Sequence, residues 1–320
     1  MKIKYLFLIL FLFMVGCTKN EPGWETGQIF RKDKLSPPIG NGKSGFTSMN
    51  PTHTGVTAAN QIGEKEVLEN QHLMHGSGVA LGDANGDGLI DIYIARIREN
   101  NVLYLNKGNW EFEDVSEAAG VSCSSRYSTG AVFADVDGDR DLDLIVTALG
   151  GPNSLFINKG DGTFNESRLA SNLDNPGSTS SALADVDNDG DLDLYITNYK
   201  RLAIRDSLPP PILSFENTLI ELANNRWIVR PPFNQHYEAE VRNNILLRFE
   251  MAEVDQFYLN NGNGKFELVN ITKNHFTDEN GQPLETHLRD WGLMAQFRDL
   301  NNDSHPDIYI CNDFESPDRI

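Results

Sequence analysis

Four stretches of this chain crowd acidic side chains into nine residues, a density that an apolar core cannot hold. The densest is Asp135-Val136-Asp137-Gly138-Asp139-Arg140-Asp141-Leu142-Asp143, with an aspartate at every second position. Unpaired carboxylates so close together repel one another and resist leaving water, so a positive charge belongs among them. Side-chain oxygens at loop positions 1, 3 and 5, a backbone carbonyl at 7 and a carboxylate at 9 can converge on one point. An all-oxygen donor set of that size suits a hard cation, Ca²⁺.

The same pattern recurs. The expected ligands are Asp83, Asn85, Asp87, the Leu89 carbonyl and Asp91 in loop one, and Asp135, Asp137, Asp139, the Asp141 carbonyl and Asp143 in loop two. Loop three offers Asp185, Asp187, Asp189, the Asp191 carbonyl and Asp193; loop four offers Asp299, Asn301, Asp303, the His305 carbonyl and Asp307. Up to four Ca²⁺ ions are therefore expected. An EF-hand is excluded, because its loop closes with Glu at position 12 and exits into a helix. Position 12 here is Ile94, Val146, Ile196 or Ile310, inside an alternating β-branched or aromatic run that reads as a strand. Gly88 and Gly190 occupy position 6 of loops one and three, whereas Arg140 and Ser304 stand there in loops two and four. A left-handed turn at that position suits glycine better.

Spacing turns the loops into an architecture. They begin at 83, 135 and 185, intervals of 52 and 50 residues, and Asn106 and Asn158 each open an Asn/Gly hairpin 23 residues after its loop. Each unit reads as strand, calcium loop, strand, strand, hairpin, strand. Four strands in about 50 residues is a propeller blade, so the fold class is all-β, a β-propeller of about four repeats in this chain. In the third unit Asn260 lies 75 residues after Asp185, which places an insertion at about 199–255, with a short helix expected around 216–223. Its Trp227, His236 and Tyr237 serve either as a ligand platform or as the insertion's own small core. The sequence ends after the fourth loop and its strand, before that unit's hairpin, so a fragment of a longer propeller is expected.

Residues 1–17 read as a targeting segment: Lys2 and Lys4, an apolar run from Leu6 to Val15 too short to span a bilayer, then Gly16-Cys17. This resembles a bacterial lipoprotein signal, which implies lipidation of Cys17 and, with Thr18 following, the outer membrane of the cell envelope. An ordinary secretory leader with an incidental cysteine is the plainer reading. Residues 18–45, rich in Pro and Gly, read as a tether, and 46–320 as the propeller. Cys123 and Cys311 are either a disulfide or free thiols. The net charge of −19 excludes nucleic acid or an anionic membrane surface as a direct partner, and four Ca²⁺ would offset eight of those charges.

The assembled pattern resembles the FG-GAP/VCBS-type repeats of integrin α-subunit propellers and, more narrowly, the cartilage acidic protein (ASPIC/UnbV) family. The narrower likeness rests on Gly76 to Asp83, on Gly130 to Asp139, and on Trp291-Gly292-Leu293 leading into Asp299. It implies Ca²⁺ at one face of a β-propeller and an extracellular, non-enzymatic adhesion or interaction module for a protein or glycan. A polysaccharide-acting hydrolase or lyase is the alternative, with His236, Asp255, His275, His287 and Asp290 as its candidate residues outside the loops. No G-x-S-x-G, H-E-x-x-H or phosphate-cradling glycine loop supports it. A third alternative is a spacer for a C-terminal domain.

Overall fold

β-Branched and aromatic residues in alternation favour extended backbone, and this chain uses them to build one repeated unit. Two short strands, β1 (Glu25–Thr26) and β2 (Arg31–Lys32), pair with each other in an N-terminal unit, Met1–Ser48. The repeats lie in a second unit, Met49–Ile320. The structure is a computed structural model that describes residues 25–26, 31–32, 47–169, 176–272, 276–277, 282–287, 289–313 and 316–320. Cys17, its leader, most of the tether and His275 lie outside the described residues.

The first sheet is an antiparallel meander of β3 (Val79–Gly82), β4 (Asp91–Ile94), β5 (Val102–Asn106) and β6 (Phe112–Asp114). The second repeats it with β7 (Ser128–Ala134), β8 (Asp143–Ala148), β9 (Ser154–Asn158) and β10 (Phe164–Arg168). The third starts with β11 (Ser178–Ala184) and β12 (Asp193–Asn198), after which the chain leaves the sheet. It forms two hairpins, β13 (Leu219–Leu222) with β14 (Arg226–Val229) and β15 (Tyr237–Arg242) with β16 (Ile245–Glu250). Only then do β17 (Gln256–Asn260) and β18 (Phe266–Val269) complete the sheet. A final antiparallel pair, β19 (Gly292–Arg298) and β20 (Asp307–Asn312), begins the fourth unit.

The architecture is all-β, with successive propeller-type blades. Their first strands adjoin in order, β3 against β7, β7 against β11 and β11 against β19. The cores lie between blades. Leu144 and Val146 of β8 pack with Tyr93 and Leu103 of the first blade, whereas Ile145, on the other face of β8, packs with Leu194, Ile196 and Tyr258 of the third. Tyr195 and Phe257 then meet Ala295 and Ile310 of the fourth unit. Because side chains alternate across a strand, β8 and β12 are buried on both faces and are apolar throughout their middles.

The inserted segment has its own small core of Ile204, Leu213 and Tyr237, and Arg248 lies over the rings of Phe215 and Tyr237. The helix expected at 216–223 shrinks to one turn, α5 (Phe215–Thr218), numbered after four other short helices: α1 (Pro51–Thr54), α2 (Glu64–Glu69), α3 (Ser116–Ala119) and α4 (Ile204–Ser207). From Leu219 the chain turns to strand, because Ile220 pairs across the hairpin with Ile228, a match of β-branched residues that favours the ladder. Cys123 and Cys311 are free thiols, the first buried and the second half-buried.

Close contact between the first strands depends on threonine and glycine. Thr129 Oγ1 donates to the carbonyl of Ser178 in the next blade at 2.7 Å, and Thr179 Oγ1 donates to that of Gly292 at 2.8 Å. A Cβ on Gly130 would stand 2.7 Å from Thr147 Oγ1 and 3.0 Å from the Thr179 carbonyl. Gly130→Ala is therefore expected to push β7 and β11 apart and destabilise the fold by about 1–3 kcal/mol, read as a lower urea midpoint. An unchanged midpoint would show that the second and third blades do not rely on this approach.

Candidate metal centres

Each aspartate loop joins the first strand of its unit to the second, so all four lie at the same end of their strand pairs. The first aspartate of each loop holds the turn. Asp83 accepts from the N–H groups of Asp87 and Gly88 at 3.1 and 2.8 Å, and Asp185 from those of Asp189 and Gly190 at 3.1 Å each. In loop two Asp135 accepts from Gly138 and Arg140, and in loop four Asp299 from Asp303 and Ser304. Position 6 is left-handed in every loop, at φ 83° for Gly88, 78° for Arg140, 97° for Gly190 and 73° for Ser304. Arg140 and Ser304 thus keep the turn that glycine adopts more cheaply. Position 4 is left-handed as well, filled by Gly86, Gly138, Asn188 and Asn302, residue types that tolerate that backbone.

In the first three loops the aspartate at position 9 is buried and reaches three elements at once. Asp143 accepts the N–H of Val136 at 3.0 Å and, on its other oxygen, the N–H of Asn158 at 2.8 Å. Asp91 does the same with Ala84 and Asn106, and Asp193 with Val186 and Asn260. Asp307 accepts from Leu300. Burial pushes Asp143 up to about 6, against the pull of its two backbone donors and with the help of neighbouring Asp137 and Asp139. Asp91 and Asp193 are raised chiefly by burial too, as is Asp137. A carboxylate held in this way gains from a nearby cation.

Loops two and three gather their donors. Oxygens of Asp135, Asp137 and Asp143 lie within 4.8 Å of one another, as do those of Asp185, Asp187 and Asp193. These are positions 1, 3 and 9. In loops one and four position 3 is an amide, and Asn85 and Asn301 donate to the position-5 carboxylates of Asp87 and Asp303 at 3.1 and 2.9 Å. Position 5 does not join the two gathered sets: Asp139 and Asp189 accept the N–H groups of Asp141 and Asp191 instead. Position 7 is Leu89, Asp141, Asp191 or His305, and the Asp141 and Asp191 side chains lie against Gly160 and Gly262 of their own hairpins.

The hairpin asparagines, legible in sequence only as turn formers, lock neighbouring loops together. Asn158 Nδ2 donates to the carbonyls of Leu142 in its own loop and Ala84 in loop one, both at 2.9 Å. Asn260 does the same to Leu192 and to Val136 of loop two, at 3.2 and 2.8 Å.

A profile of the FG-GAP-like repeat matches residues 83–146 and 135–196, the first three loops with their strands. The chain carries FG-GAP-like repeats. Human cartilage acidic protein 1 is 31% identical over 118 residues, covering 32% of this chain and 17% of that protein. Its Xenopus tropicalis counterpart is 29% identical over 82 residues, covering 26% and 13%. This chain thus spans less than a fifth of the length of these relatives. Among solved structures, the extracellular domain of a hybrid two-component system from B. thetaiotaomicron aligns with 74% of this chain and 26% of its own, at a TM-score of 0.29 and 13% identity.

Of the residues considered for catalysis, Asp255, Asp290 and His236 have structural partners. Asp255 directly precedes β17 as Asn101 precedes β5 and Asn153 precedes β9. All three accept the N–H at or just after the end of the second strand: Asn101 from Arg96, Asn153 from Ala148 and Asp255 from Asn198. The other Asp255 oxygen accepts from Tyr195 at 2.8 Å, mirroring the Asn101 bond to Tyr93. Asp255 and exposed His287 border a cavity of about 330 Å³, Asp290 accepts from Arg319 Nε at 2.8 Å and Nη2 at 3.2 Å, and His236 caps a turn through its backbone N–H.

Two pH dependences follow. Asp143 is raised, so without metal its stabilising protonated form is fully present below the ordinary aspartate range and lost as pH rises through about 6. The melting temperature in chelator should fall across that window, and millimolar Ca²⁺ should reverse the trend, since the ion binds the ionised form. Asp255 is raised by burial to about 7 and has the same sign, its stabilisation disappearing as pH passes 7. Asp255→Asn, copying the first two blades, should fold, melt at the parent temperature in acid, and remove the decline near pH 7 that persists in Ca²⁺. Failure of this variant to fold would show that the three positions are not equivalent.

Proposed function

We propose that this chain is a calcium-stabilised interaction module of a bacterial cell envelope, binding a protein or glycan without turnover and anchored through lipid on Cys17. The observation that carries the reading is the gathering of Asp135, Asp137 and Asp143, and of Asp185, Asp187 and Asp193, within 4.8 Å in an all-oxygen environment. Loops one and four share the fold with an amide at position 3 and would hold the ion with one carboxylate fewer. When bound, Ca²⁺ supplies the charge that cancels repulsion among these carboxylates. The chain's own residues do the rest: position 1 fixes the turn, position 9 ties it to strand and hairpin, and the hairpin asparagine passes the constraint to the preceding blade. The leader, with its Gly16-Cys17 junction followed by Thr18, supports outer-membrane anchoring. The structural engagement of Asp255 and Asp290 supports a binding role over the hydrolase or lyase alternative.

Thermal unfolding in millimolar Ca²⁺ and in chelator tests the metal half. An ion at about 100 times its dissociation constant adds about 2.7 kcal/mol per site, so a cooperative transition should rise by several degrees with Ca²⁺ and weaken or vanish in chelator. Asp135→Asn with Asp185→Asn should abolish most of that rise. A sharp melt indifferent to Ca²⁺ would refute the reading.

A further inference from the structure

The ends of the strands away from the aspartate loops bring together residues that the repeat does not explain. Tyr199 follows β12, Asp313 follows β20 and Trp291 precedes β19. His72 and His75 come from the turn at Gln71–His75, before β3, and Lys200, Arg205 and Glu250 from the borders of the insertion. The rings form one cluster: Tyr199 meets Trp291 at 4.6 Å, His75 at 4.7 Å and His72 at 5.1 Å between centroids. His72, Tyr199, Arg205, Glu250, Trp291 and Asp313 line a cavity of about 100 Å³.

The unusual member is His72. It is 3% exposed, yet among the described residues neither ring nitrogen has a hydrogen-bond partner. An orphaned buried polar group is costly, by about 1–3 kcal/mol, so a partner from outside the chain, solvent or ligand, is expected to complete it. Burial, with help from His75, Arg205 and Lys200, pulls its pKa down to about 4. Near neutrality the ring is uncharged, with one donor and one acceptor nitrogen. Around it the carboxylate of Glu250 is engaged by Lys200 at 2.8 Å and by the Ile204 N–H at 2.7 Å, and Asp313 accepts from Tyr199 at 2.5 Å.

We propose that this cavity is a subsite for a neutral hydroxylated group, the edge of a pyranose ring at the end of a glycan. The claim rests on the glycan branch of the function proposed above. Three features select that class. Lys200 and Arg205 balance Glu250 and Asp313, which leaves no net charge to recruit an ion. A hydroxyl donates and accepts, as His72 does, while the apolar face of a sugar packs on Trp291 and Tyr199. The volume admits part of a ring only, and Glu250 and Trp291 also wall a neighbouring cleft of about 410 Å³ where following units would lie. A transition metal fits less well, because His72, His75 and Asp313 are not among the ligand sets that converge within 4.8 Å in the described residues.

The test is an array of neutral and acidic oligosaccharides probed with the full chain in millimolar Ca²⁺, followed by calorimetry on a captured neutral glycan. His72→Phe keeps an aromatic ring and breaks no hydrogen bond among the described residues, and Arg205→Met alters a solvent-facing residue. In Ca²⁺ His72→Phe should melt at or above the parent temperature, because it removes an unsatisfied polar group, and Arg205→Met should melt as the parent does, while both weaken neutral-glycan binding at least tenfold. Capture of acidic glycans alone, no capture of any neutral glycan, or unaltered binding by both variants would overturn the proposal. A calcium-dependent melt without capture would sink the subsite and leave the metal reading standing; absence of both would sink the two together.

Discussion

The buried carboxylate at position 9 is the interaction on which the rest depends. One aspartate ends the loop, starts the second strand, and accepts N–H groups from the loop's beginning and from the hairpin after the third strand. Asp91 and Asp193 repeat the arrangement. A single ionised side chain therefore fixes the register of three strands and two turns. Its backbone bonds favour the charge and its burial opposes it. In Asp143 burial prevails, which is why a cation at the loop and a folded blade are one problem.

The constraint then passes between blades. Asn158 and Asn260 reach the preceding loop's backbone, and Gly264 donates its N–H to Val136 at 3.1 Å. Each hairpin tip is pressed on the loop before it: a Cβ on Gly162 would stand 3.1 Å from Asn85 Cβ, and one on Gly264 would stand 3.4 Å from Asp137 Cβ. The matching position in the first hairpin is Trp110, left-handed at φ 63° like those glycines at 77° and 64°, and exposed. Trp110 is 65% exposed, so a large residue fits where the later repeats admit none.

Much of this was legible because a metal loop and a tight hairpin both demand fixed residue types at fixed spacing. The aspartate positions, the strand after each loop and the Asn/Gly hairpins follow from that demand, and the 75-residue gap before Asn260 marks where β13 to β16 interrupt the third sheet. Other features leave weaker traces. Acceptance of backbone N–H groups by Asp143 needs no particular neighbour, so a buried structural role looks the same in sequence as a ligand role. Asp255 looked like a catalytic candidate because its kinship with Asn101 and Asn153 shows only once strand starts are aligned. The helix expected near 216–223 failed because Ile220 and Ile228 meet across a hairpin, a pairing that local propensity does not register.

His72 left no trace at all, and the reason separates the two ends of the molecule. At the loop end every unit solves the same electrostatic problem, so the solution repeats and can be read by comparing one unit with the next. At the other end the connections differ: the link from second to third strand is short in the first two blades and an entire inserted segment in the third. Repeat geometry holds Tyr199, Trp291 and Asp313 at strand ends, but nothing in the repeat requires their chemistry or the presence of His72 among them. A loop end braced by repeated carboxylate and asparagine contacts therefore frees the opposite end to vary, and it is there that an unpartnered imidazole can be retained for a ligand without loosening the blades.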